Sequence, residues 1–192
     1  MNPEKQAFII VAVLAVLVVG ILILVILNKG GGTTSFNYNG YEIQEIREGN
    51  YIGYRTKVFI NDQGPFFMNT RYNPKDLEDI PVEEELRPYL DNKTEFFIHI
   101  TDLNNSFKGE TTIAALEFNS LIERFYSIPV KYEDNLNDCG SSDNDTLVID
   151  FRLGQQNSVG IENSCIIAEA KTQKDFIRIA DRIVFHLLKI MD

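Results

Sequence analysis

Asp102, Asn104 and Asn105 make the chain's best case for chemistry. Asp102 directly follows the apolar run Glu95–Thr101, which reads as a strand. Open α/β sheets bind ligands at the carboxyl ends of their strands. The two asparagines would add oxygen ligands for a divalent ion, which points to metal-assisted chemistry with Asp102 as its catalytic residue. Against this, Asp-Leu-Asn-Asn is a turn sequence, because these side chains bond their own main chain, and the turn is the favoured reading. The two histidines, His99 and His186, have no Cys, Asp or Glu at metal-ligand spacing,. Both read as structural, and a histidine-based triad is unsupported. The acidic loop 133–145 invites a calcium site. Begun at Asp134, an EF-hand register puts Leu136 on the third position and Cys139 on the sixth; begun at Asn135, Cys139 takes the fifth and Thr146 the last. Both fail the ligand pattern, leaving a solvated loop, with a looser cation site open. There is no phosphate loop and no G-x-S-x-G elbow,. The chain is therefore not expected to be an enzyme, and no cofactor is expected.

Cys139 and Cys165 are the only two cysteines. In an exported domain they would close a loop of roughly 25 residues with a disulfide, stabilising by about 3 kcal/mol in the chain-entropy model. Three N-x-S/T sequons, at Asn92, Asn104 and Asn144, are glycosylation candidates in the same setting,.

The elements that must position these residues begin with 7–27, an uncharged, almost wholly aliphatic run. About 20 such residues span a hydrocarbon core of about 30 Å. The run is too long for a cleaved signal and lacks a small-residue cleavage pattern. It reads as a transmembrane helix after a short tail, 1–6. Lys5 and Lys29 nearly balance across it, so the positive-inside rule barely chooses,. The cysteine pair and the sequons place the following domain outside the cytoplasm. A Gly/Thr/Ser linker, 28–35, then leads into one extracytoplasmic domain, 36–192,.

A formal net charge of −10 argues against nucleic acid, which needs a basic footprint,. Asn39-Gly40 and Glu48-Gly49-Asn50 read as hairpin turns between strands over 36–60,. Prolines 74, 81 and 88 leave 66–94 irregular, with short helical turns at Asp76–Asp79 and Glu83–Leu90. Glu95–Thr101 reads as a central strand buried on both faces. An amphipathic helix over Thr112–Tyr126 carries a stripe of Ala114, Phe118, Leu121, Ile122 and Phe125,. Ile128–Tyr132 returns as a strand near an edge, which makes a βαβ unit. Leu147–Leu153 alternates like a half-buried strand, and Cys165–Ala168 is another,. The closing helix starts at a Thr172/Asp175 capping box,. The fold class is α/β, with α+β open, built as one mixed sheet with a C-terminal amphipathic helix. Phe96, Ile98, Ile100, Phe118, Leu121, Phe125, Ile149, Phe151, Ile183 and Leu187 are expected to share one core.

The N-terminal anchor, Arg71-Tyr72-Asn73-Pro74, the strand ending in Thr101-Asp102, the Cys139…Cys165 pair and the Ala180-Asp181-Arg182 helix resemble a type of single-pass, membrane-anchored archaeal envelope protein. No activity travels with that resemblance. The long apolar helix is also similar to type IV pilin-like proteins, whose peptidase site has a basic residue and Gly before the cut. Here Lys5-Gln6 precedes Ala7, and Val11 stands where those proteins place Glu.

The expected function is a structural or protein-interaction role in the cell envelope. Its partners are the bilayer, through 7–27, and an envelope protein. The alternatives are a pilin-like surface subunit assembling through its N-terminal helix, and a metal-dependent enzyme using Asp102.

Overall fold

The computed structural model describes residues 14–23, 34–60, 63–90, 93–100, 109–132 and 145–192. The chain divides into two compact units, Met1–Thr34 and Ser35–Asp192. In the first, residues 14–23 are helical (α1), and their large apolar side chains, among them Leu14, Val16 and Leu22, are exposed. Among the described residues no helix is long and apolar enough to cross a membrane. The rest of the expected span 7–27 lies outside the described residues.

The second unit is a mixed α/β fold with two sheets, where the sequence suggested one. The first sheet is an antiparallel meander of β1 (Ser35–Tyr38), β2 (Tyr41–Glu48), β3 (Tyr51–Ile60) and β4 (Gln63–Thr70) in sequential order. Its first turn forms because Asn39 and Gly40 accept positive φ, 48° and 86°, the combination a type I′ hairpin demands. Its second turns at Gly49, with φ 61°. β4 falls in the stretch read as irregular: Asn61–Pro65 resembles a chain-closing turn, but the chain folds back there and pairs Phe66, Phe67 and Met68 with β3.

A 3₁₀ turn, Pro74–Leu77, and a short α2, Leu86–Leu90, connect the sheets. Then come β5 (Glu95–Ile100), α3 (Glu110–Leu121), a π-helical turn (Ile122–Tyr126) and β6 (Val130–Tyr132). β5 and β6 run parallel, so the βαβ unit forms, and β6 is at an edge beside Pro129. The second sheet continues with β7 (Thr146–Leu153), β8 (Ser158–Glu162) and β9 (Cys165–Ala170), in the order β6-β5-β7-β9-β8. Only β8 is antiparallel to its neighbour, β9, across Asn163 and Ser164 at φ 46° and 67°.

Two strand readings change. β7, not β5, is central, and it is buried on both faces: Leu147, Ile149 and Phe151 point into the main core, while Val148 packs with Cys165, Ile167 and Phe97 opposite. β5 buries Phe96 and Ile98 and leaves Glu95, Phe97 and His99 half-buried.

The closing helix, α4 (Asp175–Leu187), is buried all round apart from Asp175 and Arg178, which are half-buried. It packs on α3, on β8 and β9, on α2 and on the 3₁₀ turn. Thr172 is not its N-cap; Lys174 is, but the return half of the capping box forms, with Asp175 accepting from the Thr172 N–H and hydroxyl. Eight of the ten expected core residues are buried in one cluster, with Ile100 and Phe125 half-buried against it. Edge-on aromatic contacts link Phe118, Phe151 and Phe176, with ring centroids 6.4 and 6.0 Å apart,.

Candidate functional site: a cleft along an open sheet edge

Among the described residues the first sheet ends in β4, and the turns fix which of its main-chain groups face away from β3. A two-residue hairpin closes on a hydrogen-bonded pair, and bonded and non-bonded pairs then alternate. The β2–β3 turn closes on Glu48 and Tyr51. Tyr51, Gly53 and Arg55 therefore bond to β2, and Tyr54, Thr56 and Val58 bond to β4. Their β4 partners are Thr70, Met68 and Phe66. Phe67 and Asn69 consequently turn their N–H and C=O groups outward. Two contacts agree with that parity. Arg124 Nη1 donates to the Phe67 carbonyl at 3.5 Å, and the Arg71 N–H donates to Asp181 Oδ2 at 2.9 Å. Pro65 has the same outward parity and no N–H to offer, a usual place for proline in a sheet.

Beside this edge lies a cleft of about 270 Å³, walled by β4, by α3 with its π turn, and by α4. Glu117, Arg124 and Phe125 come from the α3 side, and Asp181 closes the floor. The π turn holds Phe125 edge-on to Phe66, with centroids 5.8 Å apart, and carries Arg124 to the β4 carbonyl; such wide turns are frequent at functional sites.

Glu117 Oε1 accepts from Arg71 Nε at 2.6 Å, while its Oε2 is buried with no hydrogen-bond partner. Burial pushes the Glu117 carboxyl above its ordinary range, against the pull of Arg71. Asp181 is 1% exposed, and its Oδ2 accepts from the main-chain N–H groups of Arg71 and Tyr72, both at 2.9 Å. Burial first, and the Glu117 charge second, hold Asp181 well above the usual carboxylate range. The Arg71 guanidinium lies 5.6 Å from the Tyr51 ring centroid. Ser120 commits its hydroxyl to the Leu116 carbonyl, 2.9 Å away, as a helix back-bond,. The cleft thus offers outward main-chain groups of β4 and apolar wall, which is equipment for holding a ligand.

Of the residues singled out in the sequence, Asp102, Asn92, Asn104, Asn105, Asn144, Cys139 and 133–144 of the acidic loop lie outside the described residues. Cys165 opens β9, fully buried, and there is no free cysteine among the described residues. His99 is not isolated: parallel register sets it beside Asp150, with Nδ1 3.0 Å from Oδ1. Nothing in the linear sequence signals that pair. His186 is fully buried, and neither ring nitrogen has a hydrogen-bond partner. Burial, then Arg87 and Arg182, hold it down to about 4, so it is neutral at pH 7. Among the described residues no three His, Cys, Asp or Glu side chains cluster to hold a metal ion.

Glu117 and Arg124 had no sequence signal as site residues. Arg71 and Asp181 did stand in two quoted motifs, Arg71-Tyr72-Asn73-Pro74 and Ala180-Asp181-Arg182, and the fold joins those motifs directly. No protein-family model, no curated protein and no solved structure matches the chain.

Proposed function

We propose that this chain is a membrane-tethered domain of the cell envelope that binds a partner protein through the cleft between β4 and α3. The observation that supports the reading is a cleft walled by β4 at the positions, Phe67 and Asn69, whose main-chain groups turn away from β3.

The tether rests on the uncharged run 7–27 and on the apolar, outward side chains of α1. Lipid accepts such a surface, whereas water penalises it by about 25 cal/mol per Å². The sequons and the proposed Cys139–Cys165 disulfide support an extracytoplasmic domain. The pilin-like and Asp102-enzyme alternatives draw nothing from this cleft.

Site-specific photocrosslinking in intact membranes tests the reading. A photoreactive residue at Ser120, exposed on the cleft rim, is expected to give one discrete protein adduct. The same group at Glu84, exposed and outside this cleft, is expected to give none. No adduct at Ser120, or the same adduct from both positions, overturns it.

A further inference from the structure

Among the described residues of the second unit, the exposed large apolar side chains are Tyr51, Ile52, Phe59, Phe67 and Leu116, and all but Leu116 stand on β3 and β4. We propose that the outward face of β3 and β4 is a membrane-docking surface, which lays Phe59 and Phe67 into an anionic lipid interface and sets Arg55 and Lys57 against its phosphates. This rests on residues 7–27 being the membrane tether and adds which face of the domain meets the lipid.

Arg55 and Lys57 are alternate residues of β3, so they share one face. Their cross-strand partners on β4 are Asn69 and Phe67. The opposite face buries Thr56, Val58, Met68 and Thr70. Phe59 follows where the ladder to β4 is interrupted, and it is 61% exposed. Each phenyl ring carries a cation: Lys57 Nζ lies 5.2 Å from the Phe59 ring centroid, and the Arg55 guanidinium lies 6.0 Å from that of Phe67. β3 and β4 contain no Asp or Glu. The acids that share this face by alternation, Glu42 and Glu48, belong to β2. Past the β4 edge, Arg124 adds a third cation beside the Phe67 carbonyl. An acidic chain thus keeps a basic, aromatic patch on these two strands.

Lipid is the occupant this chemistry selects. Phenyl rings have no polar tip to satisfy and insert at the boundary of headgroups and acyl chains, while the long stems of Lys and Arg carry their charge up to the phosphates. Attraction to anionic lipid fades within a Debye length, about 8 Å at physiological salt. The patch facing the bilayer therefore counts for more than the formal net charge of −10,. That net charge repels the rest of the domain from the same surface and so orients it. Weak docking suffices, because residues 28–34, at most about 25 Å of extended chain, are all that separate β1 from the tether. Docking is then an intramolecular event at high effective concentration. A second copy meeting this face with its own would set cation against cation. Phe67 also lines the cleft, so the partner site opens beside the headgroups.

The experiment uses the full chain in nanodiscs containing nitroxide-labelled lipid. A fluorescent amino acid replaces Phe59 or, as control, the exposed Gln156 between β7 and β8. In phosphatidylglycerol discs, quenching at Phe59 should be at least threefold that at Gln156. It should fall at least twofold in phosphatidylcholine discs, at high salt, and in a variant carrying both Arg55→Glu and Lys57→Glu. If that variant fails to fold, the salt and lipid arms on the chain with native Arg55 and Lys57 decide. Equal quenching at the two positions, or quenching at Phe59 that ignores lipid charge and salt, overturns the proposal. In intact membranes a photoreactive residue at Phe59 is expected to capture phospholipid. A discrete protein adduct in its place assigns the face to a protein and also overturns the proposal. A chain that stays in carbonate-washed membranes without quenching at Phe59 keeps the tether and rejects docking; a chain released by the wash rejects both.

Discussion

Asp181 is a carboxyl group held by two main-chain donors in the middle of a buried helix. Its raised value has a definite sign for stability. A carboxyl whose folded-state value exceeds its ordinary 3.8 binds its proton more tightly when folded. Its contribution is complete below about pH 4 and is lost as pH rises through the raised value. Glu117 shares that sign. His186 has the opposite one: held down to about 4 from 6.5, it contributes fully above pH 6.5 and loses that contribution as pH falls toward 4. Asp181→Asn keeps an oxygen for Arg71 and Tyr72 and carries no charge. Its melting temperature, relative to the unaltered chain, should therefore rise more at pH 8 than at pH 4. An equal change at both pH values would show that Asp181 does not titrate between them. None of this was legible in the sequence, where Asp181 is one acidic residue of 28. Its character comes from the turn at Arg71 and Tyr72, more than 100 residues away in the chain.

The elements whose signals are local were legible. Asn39-Gly40 dictates its turn by backbone sterics, and the stripes of α3 and α4 follow from helical periodicity,. β4 was hidden because a turn and a proline next to it look like an end, although proline is tolerated at an outward edge position. β7 was misread because Asp150 looks like a solvent-facing residue; the fold buries it beside His99. The cleft was invisible for a related reason. Which β4 groups are free depends on counting the ladder from a turn two strands earlier, and Glu117 matters only once α3 lies beside that edge. The packing itself is open to measurement. Phe151, fully buried between the Phe118 and Phe176 rings, should lose about 3–5 kcal/mol of stability on truncation to Ala. Phe67→Ala, at a side chain 48% exposed, should stay within about 0.5 kcal/mol. Denaturant titration compares them, and equal losses would mean the core is misassigned.

At the scale of the whole molecule, the proposed tether predicts that residues 1–27 stay attached. Intact-mass measurement of protein held in carbonate-washed membranes should find them; a mature chain starting at Ala7, or after Leu27, would point to processing. A separate consequence follows from α4 coming after all nine described strands while packing on so many elements. Hairpins close in about 1–10 μs, so the β1–β4 meander can form as soon as it emerges from the ribosome. Synthesis of the stretch from β4 to α4 then takes about 5–20 s at about 5–20 residues per second. During that interval Val58 and Met68, buried in the finished unit, have no α4 to pack under. The emerging stretch 1–70 carries five acidic and five basic residues, so charge repulsion does little at that stage to keep neighbouring nascent chains from meeting through the bare sheet,.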